Sequence, residues 1–264
     1  MSDDHARSAA ASDVAAALMR LDEITRRLRR ECPRDREQDE RSIVPHTVEE
    51  AYELAAAAHG DDDAKLLDEL GDVLFQVYFL ALLLEERGAG SLAEVADSMA
   101  QKLIRRHPHV FGETEARTAG EVLRNWDRIK RDEEGRGAGE PFADVPENLP
   151  GPLYARKVQR RAATSGFDFE HVPYDTVEGE LEELRAAEGD RDAAFHEVGD
   201  VLFAAVNVAR KLHVDPELAL RSASARFRGR VEEAERLAAD AGAQWDDLTA
   251  DDKLTFYAQA RMNE

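Results

Sequence analysis

Apolar residues return along the chain mostly at the three- and four-residue spacing of an amphipathic helix, with Ala, Leu, Glu and Arg abundant and few aromatics. No run shows the strict alternation of a half-buried strand. The pattern predicts helices over 13–31, 47–59, 61–86, 91–106 and 118–134, then over 153–165, 175–188, 190–213, 215–241 and 247–261. Pro33 and Pro45 mark 32–46 as a loop, after which Thr47 is the expected N-cap, with Glu50 completing a capping box. Residues 73–84 are apolar nearly all round, which predicts a buried helix. That run is only about half of the ~20 residues needed to span a bilayer.

Glycines and prolines gather in 135–152, GRGAGEPFADVPENLPGP, which reads as a linker. The expected organisation is an all-α chain of two tandem helical-bundle repeats, 14–134 and 153–264, behind a disordered start over 1–13.

Charge narrows the partners. Lys and Arg total 35 against 56 Asp and Glu, a formal net charge of -21. Such acidity argues against polymeric nucleic acid and anionic membranes, which reward dense positive charge. It leaves open a small phosphate ligand bound through divalent cations. The arginines at 26, 27, 29 and 30 are read as a solvated face. One cysteine, Cys32, allows neither an internal disulfide nor a cysteine zinc site, so a reducing compartment is expected. With no apolar core of signal-peptide length at the start, the expected location is the cytoplasm.

An internal repeat carries the chemistry. The segment ELGDVLF, Glu69 to Phe75, returns as EVGDVLF, Glu197 to Phe203. Upstream, Glu50 and Glu53 are echoed by Glu180 and Glu183. Downstream, Lys102 and Arg106 are echoed by Arg226 and Arg230. Residues three apart on a helix share a face, so Glu50 and Glu53 project together, as do Glu69 and Asp72. A short connection makes the two helices antiparallel neighbours, and four carboxylates then converge. Carboxylates beside a buried helix need a partner, and a hard divalent cation such as Mg2+ suits them. The bases, spaced i, i+4, are expected to grip phosphate oxygens, and a carboxylate not used as a ligand is expected to activate water. Other sites are disfavoured. No histidine follows a glutamate at the spacing of di-iron bundles, and no glycine precedes lysine as in a phosphate-binding loop. His107 and His109 are read as a helix-ending turn, and Trp126 and Trp245 as core.

Together these residues resemble the MazG family of nucleoside triphosphate pyrophosphohydrolases, from Leu18 to about residue 240. The family pattern Glu-Glu-x-x-Glu followed by Glu-x-x-Asp reads here as Glu49, Glu50, Glu53, Glu69 and Asp72. KLIRRHPHVFGET at 102–114 and ARKVQRRAATSGFDF at 155–169 also look like two-domain members. The resemblance implies Mg2+-dependent cleavage of nucleoside triphosphates to monophosphate and pyrophosphate, house-cleaning of non-canonical nucleotides, and a homodimer. It implies metal ligation by Glu50, Glu53, Glu69 and Asp72 and by Glu180, Glu183, Glu197 and Asp200. Glu49, Glu50, Glu180 and Glu183 are the catalytic candidates, and Lys102, Arg106, Arg226 and Arg230 the substrate-binding ones. Three departures stand out. Arg34 replaces the tryptophan of Cys-Pro-Trp-Asp, Gly179 replaces the first glutamate of the second repeat, and Ser224-Ala-Arg226 replaces Asn-x-x-Lys. Relatives commonly use the second repeat, yet the first has the fuller motif here, so both sets are kept. A regulatory module that binds nucleotide with little turnover is the alternative, and a purely structural scaffold a third.

Overall fold

A computed structural model describes residues 2–133 and 142–263, with side chains from residue 12 onward except at 131. Part of the expected linker, 135–141, lies outside the described residues. Among those described, the secondary structure is helix and turn without strand. The chain divides into two compact units, Met1–Lys130 and Arg131–Glu264.

The first unit contains α1 (Ser2–Glu31), α2 (Pro33–Arg36), α3 (Glu40–Ala57), α4 (Asp63–Glu86), α5 (Leu92–Arg106), α6 (Pro108–Phe111) and α7 (Ala119–Glu133) up to Lys130. Helix α4 is the centre, with α1, α3 and α5 packed on it. Its start is fixed by Asp62, whose carboxylate accepts from the Ala64 and Lys65 amides. Ile43, Phe79 and Leu83 form the core, with Phe75 and Leu80 against them.

Three local expectations change. Helix α1 begins at Ser2, so the stretch expected to be disordered is helical, in keeping with the helix propensity of its alanines. Helix α3 begins well before Thr47. Asp39 and Ser42 cap each other's backbone amides, Ile43 is buried, and the helix runs through Pro45. Reciprocal capping and that buried side chain outweigh the amide missing at the proline. Thr47 instead donates its hydroxyl to the Ile43 carbonyl at 3.2 Å. The arginines of α1 are also more than a solvated face. Arg26 pairs with Glu85 at 2.6 Å and Arg29 with Glu86 at 2.9 Å, joining α1 to the end of α4. Arg29 further donates to the carbonyls of Asp35 and Gln38, at 2.6 and 3.0 Å, which orders the turn before α3.

The burial expected of 73–84 holds for Tyr78, Phe79, Ala81, Leu82 and Leu83 but not all round the helix. Leu67, Leu70, Leu74 and Val77 form an exposed apolar stripe along α4, and Val95, Met99 and Leu103 another along α5.

The second unit contains α8 (Gly151–Thr164), α9 (Tyr174–Ala186), α10 (Arg191–Lys211), α11 (Pro216–Asp240), a 3-10 turn (Trp245–Asp247) and α12 (Ala250–Met262). Helix α10 packs against α8 and α9, and α11 against α8 and α12. Asp190 caps α10 as Asp62 caps α4, accepting from the two corresponding amides. Arg161 reaches back from α8 to both oxygens of Asp144, in a pair at most 9% exposed. Asp168, before α9, binds Arg210 and Lys211 at the end of α10. Phe195, Val198 and Leu202 leave an exposed stripe on α10 at the repeat positions of Leu67, Leu70 and Leu74.

Candidate active site

Helices α3 and α4 are joined by a short turn and packed together, so they run antiparallel. Glu50 faces α4 from α3, while Glu69 and Asp72 lie one turn apart on α4. One carboxylate oxygen from each lies within 4.8 Å of the others. The second unit repeats the arrangement with Glu180 on α9 and Glu197 and Asp200 on α10, within the same 4.8 Å. Three of the four expected carboxylates in each half thus meet this closely. Glu53 and Glu183 sit one turn further along, exposed at the rim.

The electrostatics of the two clusters match. Partial burial raises the Glu50 carboxyl above its ordinary pKa, helped by the charges of Asp72, Glu53, Glu69 and Glu49. Burial and then Glu183, Asp200 and Glu197 raise Glu180 in the same way. Like charges held this close favour a proton or a cation among them.

Glu69 is the most constrained member. It is 1% exposed, and its Oε2 has no hydrogen-bond partner. The ammonium of Lys65, one turn earlier, touches Oε1 as an ion pair. Glu53, Asp62, Lys65 and Glu69 line an open cleft beside this contact. Lys65 was not among the residues singled out from the sequence, although its i, i+4 spacing to Glu69 is readable there. A buried carboxylate short of donors, beside two others, suits a hard cation that takes oxygen ligands. The residues present thus fit Mg2+.

The other predicted residues lie elsewhere. Glu49 is exposed, with His46 Nδ1 3.2 Å from its carboxylate, and it takes no part in the cluster. Its counterpart Gly179 therefore removes no member of the second cluster. Lys102 and Arg106 are on α5, where the Arg106 guanidinium lies 5.0 Å from the centre of the Trp126 ring. Arg226 and Arg230 are on α11, and Arg226 donates to Ser222 Oγ at 2.7 Å. Among the described residues no ion pair joins these four to a clustered carboxylate. His107 ends α5 with its Nδ1 2.7 Å from the Leu103 carbonyl, a local turn contact.

Residues 38–111, which carry Glu50, Glu69 and Asp72, match the model of the MazG nucleotide pyrophosphohydrolase domain. A nucleoside triphosphate pyrophosphohydrolase of Escherichia coli K12 is 36% identical over 240 residues, covering 88% of this chain and 91% of that protein. The chain belongs to the MazG family. The MazG nucleoside triphosphate pyrophosphohydrolase/pyrophosphatase of Thermotoga maritima is 37% identical over 232 residues, 87% of this chain and 89% of that one. A Mycolicibacterium smegmatis relative, also a nucleoside triphosphate pyrophosphohydrolase, is 33% identical over 150 residues, 56% of this chain and 46% of its own. Among the described residues no helix is long and apolar enough to cross a membrane.

Proposed function

We propose that this MazG-family enzyme hydrolyses nucleoside triphosphates to nucleoside monophosphate and pyrophosphate with Mg2+, as a broad-specificity, cytoplasmic house-cleaner of non-canonical nucleotides. The observation that carries this reading is the same three-carboxylate cluster built twice, on equivalent helix pairs. Glu50, Glu69 and Asp72 would hold the metal in the first repeat, and Glu180, Glu197 and Asp200 in the second. Bound there, magnesium supplies positive charge against the phosphates. Glu53 and Glu183, exposed beside the clusters, take the proton from the attacking water. Lys102 and Arg106, and Arg226 and Arg230, bind phosphate oxygens once substrate is present. The repeats extend over 14–134 and 153–264.

The apolar stripes support self-association. Leu67, Leu70, Leu74 and Val77 on α4, with the stripe on α5, form exposed apolar rows that are costly to leave in water. A homodimer that covers them is part of this reading.

The test is a panel of common and damaged nucleoside triphosphates, assayed for pyrophosphate with the intact chain and Mg2+. Glu69→Gln with Asp72→Asn and Glu197→Gln with Asp200→Asn remove the clusters one at a time. Release from several bases, lost when the working cluster is removed, is the expected result. Tight nucleotide binding without pyrophosphate from any of them overturns the hydrolase reading in favour of a regulatory module.

A further inference from the structure

The two clusters differ at one position that bears directly on their charge. In the first repeat the Lys65 ammonium rests on the buried Glu69 carboxylate. In the second repeat the equivalent residue, one turn before Glu197, is Ala193. Among the described residues no cation forms an ion pair with Glu180, Glu197 or Asp200. One cluster carries its own positive charge, and the other depends on charge from solution.

We infer that Lys65 is a tethered counter-ion which competes with the divalent cation for Glu69, so that the first repeat binds metal more weakly than the second and loads after it. The inference rests on the metal-site reading above and concerns what sets the relative affinities. The physical reason is direct. A cation entering the first cluster must displace an ammonium already in contact with one of its ligands, whereas no such contact must break in the second. Displacement is feasible because the lysine side chain is 52% exposed and lines the open cleft. A resting place lies nearby in the exposed Asp68, whose carboxylate is 4.0 Å from the same ammonium. The contact therefore works as an exchange between an internal and an external cation.

The experiment titrates the full-length chain with Mn2+, read by electron paramagnetic resonance, and with Mg2+, read by calorimetry. Each repeat is isolated by removing the other: Glu197→Gln with Asp200→Asn leaves the first cluster, and Glu69→Gln with Asp72→Asn leaves the second. On the first background, Lys65→Met keeps the apolar stem and removes the charge. It is expected to tighten Mn2+ binding by about tenfold, an effect limited by the exposure of the lysine. Lys65→Arg keeps the weak affinity. On the second background, Ala193→Lys weakens binding by about tenfold. If the first cluster binds Mn2+ and Lys65→Met leaves its affinity within about twofold, the tethered-ion inference is overturned while the metal reading stands. If neither background binds Mn2+ while circular dichroism shows native helix, the metal reading itself fails, and the inference with it. A lysine that only stabilised α4 would shift the thermal midpoint on Lys65→Met without moving the Mn2+ isotherm.

Discussion

At the scale of single residues, the most telling side chain is Glu69, buried among carboxylates and short of hydrogen-bond donors. An ionised carboxylate in that position costs several kcal/mol unless a charge offsets it, and Lys65 offsets it from one side only. Glu69→Gln should therefore leave the metal-free midpoint of the first unit unchanged or raised. In the wild type, saturating Mg2+ should lift that midpoint by several degrees, since a ligand at a hundred times its Kd contributes about 2.7 kcal/mol. In the variant the lift should vanish, and scanning calorimetry with and without Mg2+ checks both statements. Asp168 is the opposite kind of carboxylate. The Arg210 guanidinium, then Lys211, holds its pKa below the ordinary value. A depressed folded-state pKa gives stability that is present above the unfolded value, about 3.9, and lost as pH falls through the folded one. Because the group is one-third exposed, the effect is discounted to about 1 kcal/mol. Asp168→Asn should lower the urea midpoint at pH 7, and the gap should close as the pH falls through the depressed pKa of Asp168.

Among elements, the long helices were legible because period, caps and breakers agree. Asp62, Ser91, Asp190 and Asp215 each accept backbone amides at a helix start, within a residue or two of where the apolar pattern begins. The α3 start was not legible, because Pro45 reads as a breaker when the Asp39–Ser42 capping box upstream of it is overlooked. The site was legible in part. Spacing alone puts Glu69 and Asp72 on one face, but which glutamate of α3 meets them depends on how α3 is rotated against α4. That rotation brings in Glu50 and leaves Glu53 at the rim. The clasp of Arg26 and Arg29 with Glu85 and Glu86 was hidden for the same reason: it is long-range. The buried Arg161–Asp144 pair, 17 residues apart in sequence, gives an element-scale prediction. Arg161→Leu takes the guanidinium from a buried carboxylate and should cost about 3 kcal/mol in chemical denaturation, whereas Arg161→Leu with Asp144→Leu should recover most of that loss.

For the whole molecule, the exposed stripes set the expectation. Leu67, Leu70 and Leu74 on α4 recur as Phe195, Val198 and Leu202 on α10, so the apolar face was duplicated along with the carboxylates. A surface with no role would have little reason to keep both rows apolar. Sedimentation velocity should show a dimer for the wild type. Leu70→Glu with Leu74→Glu should shift it towards a monomer that keeps its helical circular dichroism. A monomeric wild type at micromolar concentration would remove the homodimer from the reading and leave the clusters untouched.

Arg29 has a consequence for how this chain tolerates sequence drift. One guanidinium meets both oxygens of Glu86, the carbonyl of Asp35 in α2 and that of Gln38 just beyond it, a planar fork that lysine cannot imitate. In a library of random variants selected only for folding, position 29 should keep arginine, while the outward-facing Arg27 nearby should accept many replacements.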